Sequence, residues 1–397
     1  MQNTMYNINH KAKVNQFSFY GIFILVAIII FPSVSFFFRY SFEFFILLLV
    51  LLKYGINKNF FKTSLAILSF LLLCSVIHFF ETQSPEEIYD LIRITTPLLI
   101  FTVSKNITNN DIAFVLKILI FINIVGIYYF EIMEDTFGLS SLIHTRDLEE
   151  SYGRHSGFFL NVSTLGAFST ISIIYSIVRV FTLKKDIFLE IIFILLAGYL
   201  LLESGSKTGM GLVLIFGSAF IVFNAVVKQN FISIIISILL SLLFLLSLPF
   251  LIDTYYQLEK LFMVFDRGLL GVSSFAGRIM IWTKVLELFF SSPIYFIFGI
   301  PKEIINVVTT TYDSDYVWIL SRYGVLALLS LLFFILVTIM RMMSINRRSN
   351  DLHPNLWCFL LICSYSFFVG IFTTPQLFSL SCLILAPLFS SKYFRDS

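Results

Sequence analysis

The chain is cut into apolar runs of nearly one length, with charge gathered between them. A membrane-spanning helix takes roughly 20 consecutive apolar residues. The runs at 17–35, 37–53, 64–80, 88–104, 112–130, 157–180, 187–203, 209–227, 231–251, 316–340, 356–373 and 376–391 come close to that length. Backbone polar groups inside a bilayer must be satisfied within their own segment, so each run implies a helix. The pattern predicts an all-α polytopic membrane protein of about 12 transmembrane helices, a single integral membrane domain over 1–397. Only 13% of the residues are charged and 58% are hydrophobic, whereas about a quarter of an average soluble domain is charged. So few charges cannot solvate a soluble surface, which excludes soluble, disordered, collagen-like and nucleic-acid-binding classes. The net charge of +3 implies no polyanionic partner, and the 48 phenylalanines fit a codon bias as well as a functional need. Lys11 and Lys13 precede a run of span length with no small-residue cleavage site, so the N-terminus reads as a first span.

Placing the N-terminus in the cytoplasm and alternating puts 15 of the 27 basic residues in short inner segments, as the positive-inside rule requires. An even span count returns the C-terminus to the same side. Two outer segments are long, 131–156 and 252–315, while every inner loop is short. Chemistry that needs shaped polar surface is therefore expected outside. No internal repeat and no paired broken helices of the transporter kind are visible. Cys74, Cys358, Cys363 and Cys382 all fall in apolar runs without metal-ligand spacing and read as small core residues.

Candidate chemistry gathers in those outer segments. The first ends with Arg146 and then Arg154, His155, Gly157 and Asn161 at the mouth of a span. A guanidinium there suits a phosphate headgroup, being planar, bidentate and always charged. Arg154 pairing with Glu149 or Glu150 and His155 as an ordinary polar residue are the plainer readings. Ser204-Gly-Ser-Lys207-Thr-Gly209 lacks the upstream glycine of a nucleotide loop and faces outward. It remains a cationic turn that can offer N–H groups and Lys207 to an anion. In the second segment, Ile279, Trp282, Leu286 and Phe289 share one face of an amphipathic helix near 278–290, with Arg278 at its start. The segment closes on Asp313-Ser314-Asp315-Tyr316, ahead of a span carrying Arg322 and Gly324. A carboxylate at a membrane mouth suits a general base, and the same residues suit a helix cap. Gly324 permits close approach of another helix or a lipid chain. Arg93, inside a span, is expected to pair with Asp90.

Taken in order, Arg154-x-x-Gly157 with Asn161, the Ser-Gly-Ser-Lys-Thr-Gly turn, Gly277-Arg278-x-x-x-Trp282, and Asp313-Ser314-x9-Gly324 resemble the O-antigen polymerase (Wzy) family, within the O-antigen ligase and polymerase superfamily. The likeness covers roughly residues 90 to 390 and rests on motif order more than on any single motif. It implies a glycosyltransferase C-like fold and a metal-independent glycosyltransferase without cofactor, at the outer leaflet of the bacterial inner membrane. The donor would be an oligosaccharide on undecaprenyl diphosphate. Catalytic roles fall on Asp313, Arg154, Arg278 and His155, and substrate binding on Arg146, Lys207, Asn161, Tyr316 and Trp282. Arg146, followed by Gly157 after ten residues, also fits a polymerase loop motif, so Arg146 and Arg154 compete for one role. The turn carries Lys207 where the family usually has Arg. The ligases carry His where this chain has Asp313, which favours the polymerase branch. Expected partners are membrane lipid, a chain-length regulator and the flippase of the same pathway. A ligase, a transporter or flippase of the lipid-linked unit, and a nonenzymatic envelope-assembly protein are the alternatives.

Overall fold

The computed structural model describes residues 26, 29, 58–83, 107–137, 155–159, 161–183, 187–227, 273–308, 314–349, 353–371 and 374–389. They form α1 (Lys58–Thr82), α2 (Asn109–Phe137), α3 (Val162–Leu183), α4 (Ile187–Ser204), α5 (Lys207–Val227), α6 (Ser273–Phe289), α7 (Pro293–Phe298), α8 (Lys302–Asn306), α9 (Asp315–Ser349), α10 (His353–Tyr365) and α11 (Pro375–Leu385), closed by a 3₁₀ turn (Ala386–Phe389). No strand occurs among the described residues. Five of the helices are long and apolar enough to cross a membrane: Asn109–Tyr129, Val162–Thr182, Ile187–Ser204, Lys207–Asn224 and Asp315–Arg347. The described residues are those of a helical membrane protein. The expected spans 17–35 (apart from Val26 and Ile29), 37–53, 88–104 and 231–251 lie outside the described residues, as does the Asp90–Arg93 pair.

α3 is the hub, packing against α2, α4, α5, α10 and α11. Its sequence explains why it is the buried one. Small and hydroxylated residues let neighbours approach closely without a bulky side chain between them. Ser169 and Thr170 return their hydroxyls to their own helix, on Leu165 O (2.8 Å) and Gly166 O (2.7 Å). A Cβ on Gly166 would stand 2.3 Å from Ser206 Cβ, so glycine is what admits the α4–α5 turn. Around this hub lies one apolar core containing Phe168, Ile171, Leu200, Phe359, Leu380 and, from the chain's start, Val26 and Ile29. Cys74, Cys358 and Cys382 are buried and Cys363 half-buried, and all four are free thiols.

Charge is also buried between the helices. Lys117 Nζ meets the fully buried Glu190 at 2.8 Å, and Arg179 Nε meets the same carboxylate oxygen at 3.3 Å. Arg179 also donates to Asn109 O at 3.1 Å, as does Tyr175 at 3.0 Å. The sequence places Lys117 inside a span; its partner on α4 is what makes it tolerable there.

α9 departs from the plain span expected at 316–340. It runs on to Ser349 and is broken at Gly324, whose φ is 80°. The segment around α7 fills the break. Ile297 O would lie 1.9 Å from a Cβ on Gly324, and the Arg322 carbonyl 2.3 Å from one on Gly299 (φ 86°). A side chain at Gly324 is therefore excluded by the chain's own backbone, not by a lipid or a second span. The groups freed at the break find partners, as they must in a bilayer. Ile300 N donates to Ser321 O at 2.6 Å, Arg322 Nη1 to Ile300 O at 2.8 Å, and Cys74 Sγ to Tyr323 O at 4.0 Å. His78 Nε2 donates to Gly299 O at 3.1 Å and ties α1 to the same node.

Candidate functional site at one end of the bundle

Chain direction fixes which ends of the helices lie together. α3, α5, α9 and α11 begin, and α4 and α10 end, on one side of the bundle. The Lys117–Glu190–Arg179 group sits toward the opposite side, near the start of α2 and α4 and the end of α3. The first side is the one the sequence assigns to the exterior.

On that side three stretches that carry sequence motifs converge. Asn161 caps α3: its Oδ1 accepts from Thr164 N (2.7 Å) and Thr164 Oγ1 (2.8 Å), the role for which Asn is favoured. The preceding loop is held by Asn123 of α2, whose Oδ1 accepts from Phe158 N at 3.0 Å. Gly157 turns there with φ 57°, and a Cβ would come 2.7 Å from Asn123 Oδ1. Gln376, near the start of α11, donates to Phe158 O at 3.3 Å. His155 fastens the loop to the end of α4: its N–H donates to Glu203 O at 3.0 Å, and its Nε2 lies 3.6 Å from Glu203 Oε2.

The α4–α5 turn is tied into the same end. Ser206 Oγ and the Tyr365 hydroxyl are 2.9 Å apart. The turn's N–H groups are largely spent on the turn itself. Gly205 N donates to Leu202 O, Ser206 N to Ser204 Oγ, Gly209 N to Ser206 Oγ and Met210 N to Ser206 O. The cationic turn expected as a backbone cradle is thus mostly self-satisfied, and Lys207, half-buried beside it, carries its charge.

The start of α9 completes the group. Asp315 is fully buried. Its N–H donates to Ser366 O (2.9 Å), and its Oδ2 accepts from Ile371 N (2.7 Å). The carboxylate thereby staples the α10–α11 turn to α9. Tyr316 donates to Cys363 O at 2.9 Å and stacks on Phe367 with centroids 4.4 Å apart. The structure therefore places the elements that carry His155, Asn161, Lys207 and Tyr316 at one end of the bundle, linked through Glu203, Gln376, Tyr365 and Ser366.

Arg278 and Trp282 stand on a separate module. α6 rests on α9 through Phe289, which clusters with Ile300 and Ile305 and the half-buried Leu320 and Val325 of α9. Within α6, Val285 and Phe289 are the buried positions, while Ile279 is exposed. Of the expected apolar stripe, Phe289 is buried, Trp282 and Leu286 are half-buried and Ile279 is exposed. α9 is the strut common to both modules. Its beginning joins the His155–Lys207 group, and its break holds the segment after α6. In that segment Tyr295 donates to Glu81 Oε1 at 2.9 Å, and burial, then this bond, pushes its hydroxyl pKa up. Arg146, Arg154 and Asp313 lie outside the described residues. Among the described residues no group of three or more His, Cys, Asp or Glu gathers as a metal site.

Three participants are not evident from the sequence: Asn123, Gln376 and Glu203. The first two are single polar residues near the ends of apolar runs and carry no distinguishing signal. Glu203 does carry one. It is an acid in the last turn of an apolar helix that has no basic residue there, where the helix dipole disfavours negative charge. No protein-family model matches the chain and no curated protein matches it.

Proposed function

We propose that the protein is an O-antigen polymerase of the bacterial inner membrane, with both termini cytoplasmic and about 12 spans. It joins oligosaccharide repeat units carried on undecaprenyl diphosphate at the outer face. The observation that carries this reading is the convergence at one bundle end of the His155–Asn161 loop, the Lys207 turn and the Tyr316 helix start. These belong to three of the four stretches on which the family likeness rests; the fourth, Gly277–Trp282, lies on the α6 module.

The growing glycan is the donor and a hydroxyl of a new lipid-linked unit is the acceptor. The leaving group is a diphosphate, which departs only if its developing charge is stabilised. Arg154 and Lys207 supply positive charge for that step, and Arg278, on the α6 module, is assigned to the same diphosphate by the family likeness. Arg146, Asn161, Tyr316 and Trp282 hold the headgroup and the first sugars. The acceptor proton goes to Asp313 or His155. Apolar helix faces hold the prenyl chains, and a chain-length regulator and the flippase of the same pathway act beside the enzyme.

A deletion strain tests the reading. Loss of a polymerase leaves lipid A core carrying one repeat unit on a lipopolysaccharide gel. Loss of a ligase leaves the core bare, and an unchanged ladder would refute both. In the complemented strain, Arg278→Ala is expected to collapse the ladder toward the single unit at normal expression.

A further inference from the structure

We propose that Glu203 is the positioning carboxylate of a His155–Glu203 pair, and that His155 is the base that takes the acceptor's proton. The proposal rests on the polymerase reading above and chooses between its two candidate bases.

Four observations carry it. The two side chains face each other, Nε2 to Oε2, at 3.6 Å. This is ion-pair range, longer than a hydrogen bond, and catalytic contacts commonly tighten only when substrate is bound. Exposure is graded in the useful direction: the imidazole is 36% exposed and the carboxylate 17%. The reacting ring is reachable while the group that orients it is mostly covered. The fastening of this loop does not need the side chains, because His155 N already donates to Glu203 O at 3.0 Å. Finally, a carboxylate in the last turn of α4, with no basic residue in that turn, opposes the helix dipole. The acid gains nothing from its own helix there, and its facing partner is His155 on the neighbouring loop.

At 36% exposure, the His155 side chain is reachable from outside the bundle. Tyr199 sits one turn before Glu203 on the same face of α4. Its hydroxyl donates to that of Tyr128 at 3.3 Å, and Tyr128 is half-exposed. One turn from Glu203, α4 and α2 thus carry a linked pair of phenol rings.

The chemistry follows from which nitrogen faces the acid. A carboxylate opposite Nε2 favours the tautomer protonated there and leaves the Nδ1 lone pair available. As the acceptor oxygen bonds to the donor's anomeric carbon, the bond from that carbon to the diphosphate oxygen breaks. Its electron pair departs with the diphosphate. The hydroxyl proton passes to Nδ1, and the imidazolium so formed is balanced by Glu203.

The test uses the full-length protein in membranes from a polymerase-deletion host, supplied with the undecaprenyl-diphosphate-linked single units that this host accumulates. Elongation is followed by gel. Glu203→Gln is expected to lower kcat about 10- to 100-fold and His155→Gln at least about 100-fold, both with KM within about twofold of wild type. Glu203→Asp, which restores the charge, is expected to recover most of the kcat lost in Glu203→Gln. A merely structural Glu203 would instead show falling expression and a rising KM in both variants. Wild-type kcat in Glu203→Gln would overturn the pair, and a loss confined to Asp313→Asn would move the base to Asp313. No elongation by the wild type itself would end the polymerase reading and this assignment together.

Discussion

Two glycines decide how α9 can be built, Gly324 within it and Gly299 in the segment that fills its break. A Cβ at Gly324 would sit 1.9 Å from Ile297 O, and its φ of 80° is one that L side chains rarely adopt. Gly198 and Gly217 lie in helices where an added Cβ would meet nothing within 4 Å. Gly324→Ala is therefore expected to destabilise the detergent-solubilised protein by more than the ~1–3 kcal/mol of backbone strain alone, read as a lower thermal midpoint. Gly198→Ala is expected to be neutral or to stabilise by up to about 1 kcal/mol, since it only replaces glycine by alanine in a helix. Equal midpoints for the two variants would mean the break at Gly324 is not tightly packed. The need for glycine at 324 is legible from its place in a span, but its occupant is not. Ile297 is distant in sequence, and no periodicity announces that the segment around α7 will insert there. Asp315 teaches the same lesson. Its type and place suggest a cap, yet its carboxylate is used on Ile371, 56 residues away.

Elements are legible where charge bounds an apolar run. The expected 187–203 is Ile187–Ser204, and the expected 64–80 lies within Lys58–Thr82. The expected 356–373 overshoots, because α10 ends at Tyr365 and the following Ser-Phe-Phe-Val stretch is apolar enough to hide the turn. What joins the elements is not legible, since each joint pairs residues on different runs. The α2–α3–α4 joint is the clearest case. Removing the charge of Glu190 leaves Lys117 and Arg179 without a counter-charge in apolar surroundings, a class of change that costs roughly 3–5 kcal/mol. Glu190→Leu is expected to reduce folded yield and the unfolding midpoint sharply, and Lys117→Met in the same chain to restore part of the loss. The α1–α7 joint is pH-dependent. The neutral Tyr295 hydroxyl donates to Glu81, and burial and that bond raise its pKa above the ordinary value of 10.0. A raised pKa in the folded state means the contribution is full below about pH 10 and fades as pH rises through the raised value. Tyr295→Phe is expected to give a flatter stability profile between neutral and strongly alkaline pH, measured by thermal unfolding.

At the scale of the molecule, the two ends of the bundle differ in kind. One carries the His155–Glu203 pair, Lys207 and the Tyr316 stack; the other carries the Lys117–Glu190–Arg179 lock. The motif order in the sequence foretells that some residues share an end, because alternation through helices of one length leaves few other arrangements. It cannot foretell which of them touch. The orientation of those ends in the membrane decides the chemistry, since a lipid-linked glycan presented outside cannot be elongated by a site facing the cytosol. Cysteine labelling reads it directly, because three native thiols are buried and the fourth is half-buried, which keeps the background low. Lys284 on α6 and Asn110 at the start of α2 are both exposed and lie in the segments assigned to opposite sides. In spheroplasts a membrane-impermeant maleimide is expected to label the Lys284→Cys variant at once and the Asn110→Cys variant only after permeabilisation. The reverse pattern would place the His155–Lys207 group in the cytosol, where positive charge is retained by the positive-inside rule rather than by a diphosphate. The convergence of motifs at that end would then need a cytosolic substrate to explain it.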